Sequence, residues 1–214
     1  MSIQAVILDC DGTLVDSERT CSQALADYAT ELGYRLSYEQ TVARYTGVKL
    51  NRVFDQIATS LGRALPADHL EVFRSKQLDA LRQGVRPIPG ADALLRGLRL
   101  PYCVASNAPQ VKMRLCLESA GLLPYFDDST LLSAYDVQAW KPDPTLLLAA
   151  ASRLGTSPAN CALVEDSLPG IEGGIAAGMQ VFALDRHNQL PKLASCVRSF
   201  SSLDEIRMVL EAVS

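Results

Sequence analysis

Residues 5–14 read Ala-Val-Ile-Leu-Asp-Cys-Asp-Gly-Thr-Leu and contain the stretch that decides the fold. The first four residues are apolar and predict a strand that is buried on both faces, as strands of parallel sheets are. Asp9 follows this strand directly, Asp11 lies two residues further on, and Gly12 permits a tight turn. Because ligands bind at the carboxyl ends of parallel strands, two carboxylates at this point predict a functional site.

Short apolar runs of the same kind recur along the chain and predict four more strands: Tyr102–Ala105, Thr130–Ser133, Cys161–Val164 and Gln180–Leu184. Helical patterns that begin near Pro or Gly lie between the later runs: Pro109–Ala120, Pro144–Leu154 and Gly170–Ala177. A final helix is predicted at about Ser202–Val213. Alternating strands and helices predict an α/β fold, a doubly wound parallel sheet of the Rossmann-like type.

The segment between the first and second predicted strands is too long for a single crossover helix. Its apolar residues recur with helical spacing, as in Ala24, Leu25, Tyr28 and Leu32, before a stop at Gly33. We therefore predict a helical cap domain over residues 17–85, inserted into a core domain formed by residues 1–16 and 86–214.

The composition excludes several classes of protein. With 20 Lys and Arg against 24 Asp and Glu in 214 residues, the net charge of −4 argues against a nucleic-acid partner. The longest apolar run, Leu146–Ala151, is far shorter than the ~18 residues of a membrane span. Six irregularly spaced cysteines without a C-x-x-C pair favour reduced thiols, and the N-terminus has no basic stretch typical of a secretory signal. We expect a cytoplasmic protein.

Polar residues also follow the other predicted strands. Ser106 and Asn107 follow the second strand, Lys141 lies beyond the third, and Glu165 and Asp166 follow the fourth. The parallel sheet would bring them to one edge together with Asp9 and Asp11. Four carboxylates that crowd together repel one another and need a cation. An all-oxygen site that faces a phosphate suits Mg²⁺, so we predict a magnesium site formed by Asp9, Asp11, Glu165 and Asp166.

Four motifs occur in order along the chain: D-C-D-G-T-L-V-D-S-E from residue 9, S-N at 106, W-K-P-D-P at 140 and V-E-D-S-x-x-G-I-x-x-G-x-x-A-G-M at 164. With these motifs the whole chain resembles phosphatases of the haloacid-dehalogenase superfamily whose helical cap is inserted after the first strand. Within that family, the opening motif, the segment 47–50 and the segment 135–142 most resemble the 6-phosphogluconate phosphatases. The β-phosphoglucomutases and phosphoglycolate phosphatases are neighbouring groups.

The resemblance implies a role for each matched residue. Asp9 would be the nucleophile that forms an aspartyl-phosphate, and Asp11 would protonate the leaving alcohol and then activate water. Lys141 would offset the charge of the phosphate, whose oxygens Ser106 and the main-chain N–H of Asn107 would hold. Mg²⁺ would be bound by Asp9, the main-chain carbonyl of Asp11 and Asp166. Glu165 would support the ion through water.

Substrate choice is expected to come from the cap. Gly47 and Lys49 fall where capped relatives present a specificity loop, and Arg44 and Arg52 add positive charge that suits an anionic sugar acid. We expect a small phosphorylated sugar or sugar acid as substrate, and a monomer or weak homo-oligomer with no nucleic-acid or membrane partner.

Three alternatives stay open at this stage. The mutase group carries a His where alignment on Asp9 puts Cys21, which argues against phosphoryl transfer to a sugar. A phosphoglycolate phosphatase would use the same core residues on a smaller substrate. A non-catalytic phosphate-binding regulator is expected to lack at least one of the catalytic positions, and all of them are filled here.

Overall fold

The structure is a computed structural model that describes residues 2–45, 48 and 50–213. The chain forms two compact units. One unit combines Met1–Asp16 with Arg86–Ser214, and the other consists of Ser17–Val85. The smaller unit is thus an insertion into the larger one.

The larger unit is built on a parallel sheet, which has six strands in the described part of the chain. Its strands are β1 (Ala5–Leu8), β4 (Tyr102–Ser106), β5 (Leu131–Ser133), β6 (Cys161–Glu165), β7 (Gln180–Leu184) and β8 (Arg198–Phe200). Across the sheet their order is β5-β4-β1-β6-β7-β8. The central position of β1 directs its carboxyl end between the ends of β4 and β6.

Helices connect these strands and bury both faces of the sheet. They are α5 (Ala91–Gly97), α6 (Gln110–Ser119), α7 (Ala134–Val137), α8 (Thr145–Arg153), α9 (Leu168–Ala176) and α10 (Leu203–Glu211). Ile7 of β1 belongs to an apolar cluster with Leu147 of α8 and Ile171 of α9. Because strand side chains alternate, Val6 and Leu8 face the opposite side, where they are also fully buried. A strand buried on both faces explains why the run is continuously apolar.

The predicted α/β fold with a parallel sheet is confirmed, and the differences concern the ends of elements. Thr130 is not part of β5, because its hydroxyl and N–H close a 3₁₀ turn capped by Asp127. Ser106 and Glu165 are the last residues of β4 and β6 rather than the first residues beyond them. The edge strand β8 was not predicted from the sequence, since its three residues are partly exposed and form no apolar run.

A short antiparallel ribbon joins the two points where the chain enters and leaves the insertion. It pairs β2 (Val15–Asp16) with β3 (Arg86–Pro87). Both strands have only two residues, and no apolar or alternating pattern of that length is readable in a sequence.

The smaller unit consists of helices in its described residues: α1 (Glu18–Glu31), α2 (Tyr38–Tyr45), α3 (Leu50–Leu61) and α4 (His69–Gln83). Three of its core rings pack together: Tyr28 of α1, Phe54 of α3 and Phe73 of α4, with centroids 5.4–6.0 Å apart. Contacts of this kind stabilise a small helical unit beyond the area that they bury.

Two further observations bear on the expectations from composition. Every helix among the described residues is too short or too polar to cross a bilayer. All six cysteines are thiols, and four of them are buried: Cys10, Cys103, Cys116 and Cys161.

Candidate active site

Asp9 stands at the carboxyl end of the central strand of the sheet. Its N–H donates a hydrogen bond to the carbonyl oxygen of Val164 at 2.9 Å, so the backbone ladder with β6 continues one residue past β1. The residue is buried, and this hydrogen bond fixes the backbone position from which its side chain extends. The parallel register therefore holds Asp9 beside the end of β6, where Glu165 is the last residue of the strand and Asp166 follows it.

Lys141 lies between two of the predicted carboxylates. Its Nζ donates to Oδ1 of Asp9 at 2.5 Å and to Oε2 of Glu165 at 2.7 Å. The exposed fractions of these side chains are 3% for Lys141, 9% for Asp9 and 0% for Glu165. The sheet thus brings Lys141 into contact with Asp9, 132 positions away in the chain, and with Glu165, 24 positions away.

For Asp9 and for Lys141, burial and the charge of the partner shift the pKa in opposite directions. The pKa of Asp9 is raised well above its ordinary value, first by burial and then by the charge of Glu165, while Lys141 lowers it. Burial alone would lower the pKa of the Lys141 ammonium, but the charges of Asp9 and Glu165 outweigh it and raise that pKa. Lys141 therefore stays a cation, and one cation does not balance the acidic groups around it.

Asn107 clamps the loop that carries Lys141. Its Oδ1 accepts the main-chain N–H of Lys141 at 2.8 Å, and its Nδ2 donates to the Lys141 carbonyl at 3.1 Å. Both backbone groups of one residue are thus held by a single side chain. The family resemblance implies only a main-chain contact of Asn107 with phosphate. The clamp has no local sequence signal, because the two residues are 34 positions apart.

Glu165 is held by more donors than a surface carboxylate would have. Its Oε1 accepts the N–H groups of Asp166 and Ser167 at 3.1 and 3.0 Å and the Ser167 hydroxyl at 2.8 Å. Its carboxylate also occupies the space beside Gly170, where a Cβ would come within 2.5 Å of Cγ of Glu165. The side chain is therefore fixed between Lys141 and the first turn of α9.

Asp166 is oriented by two residues of the opening motif. The Thr13 hydroxyl donates to Oδ1 of Asp166 at 2.8 Å. Gly12 has a φ of +88°, and a Cβ at this position would come within 2.7 Å of Cγ of Asp166. Glycine is thus required at residue 12 both for the backbone conformation and for the approach of the carboxylate.

The acidic groups fit a divalent cation. Carboxylate oxygens of Asp9, Glu165 and Asp166 lie within 4.8 Å of one another, close enough to coordinate one ion. All of these donors are hard oxygen ligands, which Mg²⁺ prefers over nitrogen and sulfur. The excess of negative charge beside a single lysine agrees with the same chemistry.

The side chain of Asp11, by contrast, is not in this cluster. Its Oδ2 accepts a hydrogen bond from Nζ of Lys112 at 2.9 Å, and both side chains are partly exposed. Lys112 lies on α6 and was not among the predicted site residues, because no local pattern connects residues that are 101 positions apart.

Ser106 ends β4 at the same edge of the sheet. Its Oγ accepts the N–H of Ala108 at 3.1 Å, and the Ser133 hydroxyl donates to the Ala108 carbonyl at 2.7 Å. These bonds fix the turn that leads into α6. A fixed turn at the start of a helix presents N–H groups that suit an anion.

The predicted cap residues are only partly described. Gly47 and Lys49 lie outside the described residues. Arg44, which was expected beside them, donates from Nη1 to the Tyr34 hydroxyl at 3.1 Å within the smaller unit.

Comparison with known proteins agrees with the sequence motifs. A family model described as haloacid dehalogenase-like hydrolase matches residues 3–178. The chain is also 40% identical to 6-phosphogluconate phosphatase from Escherichia coli (strain K12) over 207 residues, which cover 95% of this chain and 93% of that protein.

Solved structures match over almost the whole chain. A HAD family hydrolase from Deinococcus radiodurans R1 with bound phosphate and sodium has a TM-score of 0.80 and 29% identity, covering 99% of this chain and 96% of that one. A putative β-phosphoglucomutase from Thermotoga maritima has a TM-score of 0.82 and 22% identity, covering 99% and 100%. The second likeness shows the fold.

Proposed function

Since the chain belongs to the haloacid dehalogenase-like hydrolases and is a phosphatase, we propose that it hydrolyses a small phosphorylated sugar acid such as 6-phosphogluconate. The proposed reaction uses Mg²⁺ and passes through an aspartyl-phosphate on Asp9. The observation that carries the proposal is the buried contact of Lys141 with both Asp9 and Glu165 at the carboxyl edge of the sheet.

In the first step, an Oδ atom of Asp9 attacks the phosphorus in line with the sugar oxygen. The bond between phosphorus and the sugar oxygen breaks, and that oxygen takes a proton from Asp11. A carboxylate is a poor nucleophile toward a dianion, and the buried Lys141 ammonium reduces this repulsion where it is least screened by water.

In the second step, Asp11 accepts a proton from water while the water oxygen attacks the phosphorus. The bond between phosphorus and Asp9 breaks, inorganic phosphate leaves, and the Asp9 carboxylate is restored. One residue thus serves as acid and then as base, as is needed when both steps occur at the same phosphorus atom. The position of Asp11, two residues after Asp9, supports this assignment.

We assign Mg²⁺ to Asp9, Asp166 and the main-chain carbonyl of Asp11. The oxygen cluster and the excess of negative charge support Asp9 and Asp166 as ligands, and the family resemblance implies the carbonyl of Asp11. When bound, Mg²⁺ supplies positive charge that offsets the charge of the phosphate. The support of the ion by Glu165 through water stays a prediction, and the contacts of Glu165 support a second role in which it holds Lys141.

Phosphate oxygens are assigned to the Ser106 hydroxyl and to the N–H of Asn107. The fixed turn before α6 supports this assignment, because its donors need no rearrangement to meet an anion. Lys141 completes the anion site in the proposal, and the Asn107 clamp on its backbone keeps its ammonium in range.

The choice of a sugar acid is supported by the similarity to the Escherichia coli enzyme and by the basic residues of the cap segment. We assign Lys49 to the substrate's carboxylate and Gly47 to the loop that carries it. The proposal also includes a cytoplasmic location, for which the free thiols are the supporting observation. The expectation of a monomer or weak homo-oligomer stays a prediction.

A phosphate-release screen with Mg²⁺ tests the proposal. It compares 6-phosphogluconate, glucose 6-phosphate, β-glucose 1-phosphate and phosphoglycolate, with Asp9→Asn as the control for contaminating phosphatases. We expect the highest kcat/KM for 6-phosphogluconate and no turnover by the variant. A preference for phosphoglycolate or a neutral sugar would reject the substrate, and equal turnover by Asp9→Asn would reject the mechanism.

A further inference from the structure

The proposed reaction assigns no role to Lys112, although this residue contacts the acid–base residue Asp11. Nζ of Lys112 lies 2.9 Å from Oδ2 of Asp11, and the exposed fractions of the two side chains are 19% and 25%. A lysine side chain that belonged only to the surface would be far more exposed. The ammonium therefore lies at the margin of the site, in contact with the carboxylate that has to move protons.

The helix that carries Lys112 is anchored in the core. Lys112 lies in the first turn of α6, and its N–H donates to the Pro109 carbonyl at 3.0 Å. The next residue, Met113, is buried, as are Cys116 and Leu117 one turn later. The turn that begins at Ser106 leads directly into this helix. The backbone that carries the ammonium is thus held by the same turn that we assign to phosphate.

Asp11, by comparison, lies in a turn of the chain. The N–H of Gly12 donates to the Val15 carbonyl at 2.8 Å, and the N–H of Leu14 donates to the Cys10 carbonyl at 2.9 Å. These bonds fix the backbone but leave the rotation of the Asp11 side chain to its side-chain contacts. Proton transfer needs the carboxylate within hydrogen-bond distance of the reacting oxygen, and a displacement of 1 Å can slow a reaction by ~100-fold.

We propose that Lys112 is a positioning residue, which holds the Asp11 carboxylate in the orientation for proton transfer. The inference rests on the proposed function, because it assigns Lys112 to the acid–base residue of that reaction. An ion pair that is partly exposed adds little to the stability of the fold. Loss of the Lys112 ammonium therefore affects the proton-transfer steps more than folding or substrate binding.

The test compares two esters that differ in their need for a proton. The sugar oxygen of 6-phosphogluconate must be protonated as it leaves, whereas p-nitrophenolate leaves without a proton. Single-turnover release of p-nitrophenol therefore reports the attack by Asp9 alone, and steady-state hydrolysis of 6-phosphogluconate reports the steps that use Asp11. Both are measured with Mg²⁺ for the wild type, Lys112→Met, Lys112→Arg and Asp11→Asn.

For Lys112→Met we expect kcat on 6-phosphogluconate to fall by ~10–100-fold with KM nearly unchanged. Single-turnover release of p-nitrophenol stays within about twofold of the wild type, and Lys112→Arg recovers most of the lost kcat, since it keeps a cation near Asp11. Lys112→Met has no further effect on 6-phosphogluconate hydrolysis in the Asp11→Asn background, because coupled residues are not additive.

The matched control is Arg114→Met on the same helix. The Arg114 guanidinium pairs with Asp128 at an exposed position, so its loss leaves kcat unchanged on both esters. Equal losses of rate on the two esters in Lys112→Met, or a full further loss in the Asp11→Asn background, would overturn the positioning role of Lys112 and leave the proposed function intact. A wild type that cleaves neither ester with Mg²⁺ would overturn the proposed function and this inference with it.

Discussion

Replacement of Lys141 by Met removes the cation between two buried carboxylates and keeps most of the aliphatic stem. The exposed fractions of Asp9 and Glu165, 9% and 0%, leave almost no water to replace the lost ammonium. Breaking a buried ion pair from one side costs about 3–5 kcal/mol in the free energy of unfolding. For a chain of this size, that loss corresponds to a fall in Tm of about 6–20 °C.

The loss of stability in Lys141→Met depends on pH, and proton linkage gives the direction of that dependence. The pKa of Asp9 is already raised by burial and by Glu165, and removal of Lys141 removes the charge that lowers it. Above the unfolded pKa of about 4, the folded variant then holds a proton that the unfolded chain has released. Stability falls as pH rises through that range, so the deficit relative to the wild type is smaller at pH 5 than at pH 8.

Thermal and urea unfolding at pH 5 and pH 8, with chelator present, measure these effects. Lys76→Met is the matched control, since Lys76 bonds Glu31 at the same kind of distance, 2.9 Å, but with exposed fractions of 44% and 54%. Its loss is expected to be below about 1 kcal/mol. If Lys141→Met is no less stable than Lys76→Met, or if its deficit is larger at pH 5 than at pH 8, the Lys141 ammonium does not stabilise the two buried carboxylates in this way.

Three further predictions concern residues of the opening motif and the cap. Gly12→Ala displaces the carboxylate of Asp166 and strains a backbone at φ +88°, so kcat/KM falls by ~100-fold in steady-state assays; a normal value would show that the carboxylate has room to move. Thr13→Val keeps the shape but removes the hydroxyl bound to Asp166, so the Mg²⁺ concentration for half-maximal activity rises by ~10–100-fold, and an unchanged concentration would show that this hydrogen bond does not orient a metal ligand. Lys49→Ala lowers the ratio of kcat/KM for 6-phosphogluconate over glucose 6-phosphate by ~10–100-fold, whereas a constant ratio would remove Lys49 from the pocket.

The sequence predicted those parts of the fold that depend on continuous local patterns. The run Ala5–Leu8 is apolar at every position because its strand is buried on both faces, and such a run is readable without a structure. The family resemblance, which rested on four motifs in order, is confirmed by the family match and by the 40% identity. The edge strand β8 was missed because an exposed strand of three residues has no such pattern.

The candidate site was predictable as a set of residues but not as a set of contacts. The ends of parallel strands meet at one edge, so Asp9 and Glu165 could be expected to lie together. The clamp of Asn107 on Lys141 and the contact of Lys112 with Asp11 join residues that are 34 and 101 positions apart. Contacts of that range depend on the packing of α6 and of the Lys141 loop against the sheet, which no local spacing encodes.

The residue that carries the phosphoryl group during turnover can be identified directly, and it decides whether Asp9 is the nucleophile. Asp11→Asn should slow hydrolysis of the aspartyl-phosphate by about 10²–10⁴-fold. Because p-nitrophenolate leaves without a proton, the intermediate still forms and accumulates when the variant is mixed with p-nitrophenyl phosphate and Mg²⁺. Acid quenching followed by mass spectrometry of peptides then shows which residue carries it. We expect one phosphoryl group on Asp9, and none in Asp9→Asn. A phosphoryl group on any other residue, or phosphate release by Asp9→Asn at the rate of the wild type, would show that Asp9 is not the nucleophile.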